Sequence, residues 1–170
     1  MRDKYSCVWL VLAAQITACS TPPPTTYANR KHSLVVQLPG GVGAGSESEG
    51  ALRPDVCAGD TLQVQWFYEN HRRARADSPT GFMIVTCALR AGLTMAELVR
   101  IEMASFSTKG AAAKDLGSGD IELVVDSSVA RLQLRIVGQR FIGAMVTARE
   151  EAGLRGPEAA LFLGSARSGH

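Results

Sequence analysis

Between Val129 and Arg149 the chain spells out an antiparallel hairpin. Leu132, Leu134 and Ile136 alternate with Arg131, Gln133 and Arg135. A period of two puts the apolar side chains on one face of a strand and the polar ones on the other. Gly138-Gln139 follows, a two-residue connection with glycine first, where a hairpin turn takes a positive φ. Phe141–Arg149 then supplies an apolar return strand. A connection this short cannot join parallel strands, which need a crossover of about a dozen residues or more. The chain must therefore build an antiparallel sheet with at least one face to cover.

Other segments supply the rest of that sheet and its cover. Leu34–Leu38 is a short strand stopped by Pro39-Gly40, and Gly40–Gly50, rich in Gly and Ser, is expected as a long loop. Leu62, Val64, Trp66 and Tyr68 recur at period two, and Phe82–Leu89 should pair back with them across a polar connection from Asn70 to Gly81. Ile121–Asp126 is expected as a further strand. Thr94 and Glu97 have capping-box spacing, with Leu93 and Leu98 placed to staple across it. Met95, Leu98, Val99, Ile101 and Phe106 then share one broad helical face, and Gly110 marks the stop. Pro157 suits the first turn of a last helix whose apolar face is Ala159, Phe162, Leu163 and Ala166. The expected class is α+β: an antiparallel sheet with one central and one C-terminal helix packed on it.

The first residues carry an address. Arg2 and Lys4 precede the apolar run Cys7–Ala14, far short of the roughly 20 residues that a membrane-spanning helix needs. Ile16-Thr17-Ala18-Cys19 resembles the lipobox of bacterial lipoproteins. The resemblance implies a signal peptide over residues 1–18, cleaved so that Cys19 becomes an acylated first residue. Ser20, in place of Asp, implies the outer membrane, with the protein facing the periplasm. Residues 19–31, with three consecutive prolines, are expected as a flexible tether, and residues 32–170 as a single domain.

The order of elements from His32 to Arg167 resembles the fold of the PsbP proteins of photosystems, the Ran-binding Mog proteins and the DcrB-type lipoproteins. The residues that carry this resemblance are Leu38-Pro39, the strand Arg131–Arg140 (Arg-Leu-Gln-Leu-Arg-Ile-Val-Gly-Gln-Arg), and the ending Phe162–Arg167 (Phe-Leu-Gly-Ser-Ala-Arg). Ala166 departs from the aromatic residue usual at that place. These are structural positions, so no functional residue carries over. The resemblance implies a non-enzymatic role: cofactor retention, partner binding, chaperoning or a part in envelope uptake.

Chemistry-bearing residues are sparse. Of 18 basic and 16 acidic side chains, removal of residues 1–18 leaves sixteen and fifteen, a balance with no general pull toward nucleic acid. Cys57 and Cys87 remain for an oxidising compartment, where a disulfide is expected and two buried thiols are the alternative. His32, His71 and His170 lack metal-ligand spacing, so neither metal nor cofactor is expected. Ser165 is not in a nucleophile elbow. Asp120, Glu122 and Asp126 suit a solvated strand edge, as Arg131 and Arg135 suit a polar sheet face. Gly117-Ser118-Gly119 precedes a strand and lacks the helix end that a phosphate loop uses.

Arg72, Arg73 and Arg75 in the β-hairpin connection are the candidate site for an anionic partner, against the plainer reading of a solvated loop. The expected function is an envelope lipoprotein acting as a non-enzymatic binding or scaffold module. Its partners would be the membrane, through the anchor, and another envelope protein or cell-wall component. A chaperone or accessory subunit of an export or secretion system is the alternative, marked by an apolar groove between helix and sheet, and a hydrolase ranks third.

Overall fold

The computed structural model describes residues 22–50, 53–68 and 77–169. The signal segment, Cys19, His71 and the arginines at 72, 73 and 75 lie outside the described residues.

Seven strands form one antiparallel sheet: β3 (Ser46–Gly50), β4 (Thr61–Phe67), β5 (Pro79–Ala88), β6 (Ala112–Gly117), β7 (Asp120–Val125), β8 (Ser128–Val137) and β9 (Arg140–Ala148). Their order across the sheet is β3-β4-β5-β9-β8-β7-β6. The β8–β9 pair has the expected register, with Val137 opposite Arg140 across the turn and Gly138 at a φ of 61°. The connection between Asn70 and Gly81 does join two paired strands, β4 and β5. A second sheet holds β1 (Thr25–Asn29), β2 (Leu34–Leu38) and β10 (Arg167–Ser168), in the order β1-β2-β10.

The large sheet buries both faces. Phe82, Ile84, Ile142, Ala144 and Val146 point to one side, where the small sheet, α2 (Glu151–Arg155) and α3 (Pro157–Ser165) cover them. Met83, Val85, Cys87 and Phe141, their neighbours along the same strands, point to the other side. There α1 (Met95–Thr108) packs against β6 and β8, burying Leu98 and Val99. The α+β class is thus observed in three layers, with the two anticipated helices on opposite faces of the sheet.

Aromatic rings tie the small sheet and α3 to the large sheet. Trp66 lies edge-on to Tyr27, with ring centroids 5.1 Å apart, and to Phe162 at 6.1 Å. Phe82 in turn meets Phe162 at 5.1 Å. Edge-to-face pairs of this kind add about 0.5–1.5 kcal/mol each beyond the area they bury. Gly45 admits the chain over this cluster: a Cβ there would stand 2.4 Å from the Trp66 Nε1. The capping box forms as expected, with the Glu97 N–H donating to Thr94 Oγ1 and the Thr94 N–H donating to Glu97 Oε2.

The structure corrects several boundaries. The stretch expected as tether through Lys31 ends earlier, because Thr25–Asn29 pair with β2 as β1. Within the expected loop Gly40–Gly50, Ser46–Gly50 form the edge strand β3. Strands β6 and β10 and the short helix α2 were not anticipated. The strand expected over Ile121–Asp126 runs Asp120–Val125, and Asp126 is in the β7–β8 turn with a φ of 52°. Among the described residues, no helix is long and apolar enough to cross a membrane.

Candidate functional site

Cys57 and Cys87 are joined by a disulfide, with Cα atoms 5.7 Å apart. This decides between the two alternatives left by the sequence. The bond fastens the segment before β4 to the end of β5, where Cys57 also bridges Leu89 and the Arg90 N–H donates to the Val56 carbonyl. Val56 is fully buried by this arrangement.

The fastened segment carries Arg53 to α1. Its guanidinium meets Glu102 at 2.7 Å and Asp55 at 3.5 Å. Glu102 lies on the buried face of α1, one turn beyond Leu98, with its side chain 4% exposed. An unpaired carboxylate in such a place is costly, and a hydrogen-bonded cation offsets the cost. Burial by itself would lower the Arg53 pKa, yet the hydrogen bond and charge of Glu102 outweigh it and hold the guanidinium above its ordinary value.

Beside this ion pair a cleft of about 130 Å³ opens between the second half of α1 and the sheet. Met83, Val85, Leu132 and Phe141 form its sheet wall and Phe106 its helix wall. Gln63, Ser105, Lys109 and Gly143 complete the lining. The sequence singled out none of Arg53, Glu102 or Lys109. The available signal was Glu102 itself, an acidic residue inside the apolar stripe of an amphipathic helix.

Asp120, Arg131, Arg135, Ser165 and His32 have structural partners. Arg131 pairs with Asp120 at 3.1 Å. Arg135 is more than a polar face residue: it donates to the carbonyls of Leu163 and Ala166, both at 2.8 Å, and so satisfies the end of α3. Ser165 Oγ accepts the Gln37 N–H at 2.8 Å and joins α3 to β2. His32 is buried, with Nε2 at 3.3 Å from Glu49 Oε1. Lys31 pairs with the same carboxylate and Tyr27 donates to Glu47, so the β1–β2 hairpin is pinned to β3. The Lys31 hydrogen bond holds the Glu49 carboxyl below the ordinary glutamate value. Among the described residues, no three His, Cys, Asp or Glu side chains gather as a metal site.

Neither a protein-family profile nor a curated protein matches the sequence. The solution structure of cyanobacterial PsbP (CyanoP) from Synechocystis does resemble this one, with a TM-score of 0.52 over 92% of this chain and 98% of that protein. The two sequences are 12% identical, so the likeness is one of fold, and the domain here is PsbP-like in architecture.

Proposed function

We propose that this chain is a lipid-anchored, non-enzymatic binding or scaffold module of a bacterial envelope, held at the outer membrane and facing the periplasm. The observation that carries the reading is the order of the first residues: a basic start, a short apolar run, Ile16-Thr17-Ala18-Cys19, and then prolines. Residues 1–18 are the signal peptide in this reading, Cys19 is the lipidated residue, and only a short tether precedes the domain, since Pro22 already packs beside Gly40. Several acyl chains on one residue give a lasting hold, since each buried methylene adds about 0.8 kcal/mol. A disulfide within the domain fits an oxidising compartment.

For the domain, support comes from side chains engaged in architecture. Ser165, Arg135 and Asp120 each have structural partners, and Arg53 and Glu102 neutralise one another. The partner is another envelope protein or a cell-wall component, with Arg72, Arg73 and Arg75 as a candidate contact for an anionic group. The open cleft beside α1 favours one further reading, an accessory or chaperone subunit of an export or secretion system that holds an apolar part of its client.

Replacing Cys19 with Ala tests the anchor. The native chain should take up radiolabelled palmitate and sediment with outer membranes, and Cys19→Ala should do neither. A labelled, membrane-bound Cys19→Ala protein overturns the proposal.

A further inference from the structure

The cleft between α1 and the sheet is built by specific residues. Gln63, Val85, Gly143 and Leu134 stand side by side across β4, β5, β9 and β8, and the place left by Gly143 is taken by the Phe141 ring, 3.1 Å from where a Cβ would stand, so that ring floors the cleft. Above it α1 sets Glu102 and Ser105 where larger apolar residues would fill the space. Interiors are otherwise close-packed, and a void lined by apolar atoms gives up dispersion contacts that a ligand can restore. At about 130 Å³ the space is near the roughly 150 Å³ of an engineered apolar cavity that takes up benzene.

The charge around the cleft is asymmetric. Glu102 is the acidic residue among the lining side chains, and Arg53 already neutralises it. Lys109, at the C-cap of α1, also borders the opening and has no acidic partner among the described residues. The cleft therefore offers an apolar wall of Met83, Val85, Phe106, Leu132 and Phe141 beside polar Gln63 and Ser105, with a cation at its edge that has no acidic partner among the described residues.

We propose that this cleft binds a small organic anion composed of one compact, ring-sized apolar group and a carboxylate. The apolar group lies against the Phe141 ring between Val85 and Phe106, and the carboxylate faces Lys109. The site stands apart from the anchor and from the arginines at 72, 73 and 75, so it survives if the lipoprotein reading fails.

Phenylacetate is the probe, with 2-phenylethanol and phenethylamine as its neutral and cationic counterparts. Binding is followed through the methyl resonances of Met83, Val85 and Leu132 in the disulfide-bonded protein. Phenylacetate should shift them saturably and bind about fivefold more tightly than 2-phenylethanol, the upper range for one exposed ion pair. Phenethylamine should bind most weakly. Lys109→Glu should reverse the order of the two charged probes, and Ser105→Leu should fill the cleft and abolish saturation by all three. Unsaturable shifts, equal binding of the three probes, or an unchanged order in Lys109→Glu would overturn the proposal. Lys109 is exposed, so its variant decides the matter even if Ser105→Leu fails to fold.

Discussion

Glu102 sits where the helical period of α1 calls for an apolar side chain, and its cost is offset by Arg53, a residue far away in the chain. Arg53→Ala would leave the carboxylate buried without its cation. The expected loss is about 3 kcal/mol, the lower end for breaking a buried pair, since Arg53 is itself 23% exposed. Urea denaturation checks this. The double variant Arg53→Met/Glu102→Leu should recover most of the loss, because removing both charges leaves nothing to desolvate; a double variant no more stable than Arg53→Ala contradicts the account. Local chemistry was legible at this scale. Thr94 and Glu97 cap α1 as their spacing indicates, and Gly138 turns the β8–β9 hairpin. The roles of Glu102, of Arg135 at the end of α3 and of Ser165 against β2 were not legible, because each depends on a partner that only the tertiary fold brings near.

At the scale of elements, strands with strong alternation were found and edge strands were missed. β3 reads Ser-Glu-Ser-Glu-Gly and presents Glu47 and Glu49 to the small sheet, so its pattern is one of charge rather than burial. β6 is mostly exposed and β10 has two residues, which leaves little for periodicity to register. The contacts of β3 carry a pH dependence. The Glu49 and Glu97 carboxyls both lie below their ordinary value of 4.5 in the folded chain. For Glu97 the leading cause is the Thr94 backbone N–H at the helix cap. A depressed carboxyl pKa contributes stability that is complete above 4.5 and is lost as pH falls through the folded value. Urea midpoints should therefore fall between pH 5 and pH 3, and Glu49→Gln should flatten part of that slope; an unaltered slope in Glu49→Gln counts against the pinning role. The disulfide acts on elements too, fastening the Arg53 segment to β5. Cys57→Ser/Cys87→Ser should cost about 2–4 kcal/mol by freeing the unfolded chain, and a melting temperature equal to the native one would deny it that role.

The whole molecule is a three-layer domain in which one sheet is covered by α1 on one side and by α2, α3 and a small sheet on the other. The class and both main helices were legible from periodicity and capping. The second sheet was not, since β1 lies in a proline-led segment whose composition reads as linker and whose partner β2 alone shows a core pattern. With β1 assigned and the Pro22 backbone seated beside Gly40, the domain begins well before the end of the expected tether, so in the proposed reading an anchor at Cys19 would hold it close to the bilayer. Intact-mass analysis of the protein extracted from membranes tests this most directly. The account predicts a mature chain that starts at Cys19 and carries the added mass of a diacylglycerol and an amide-linked acyl chain. An uncleaved chain, or one cut elsewhere and recovered without lipid from the soluble fraction, would contradict it.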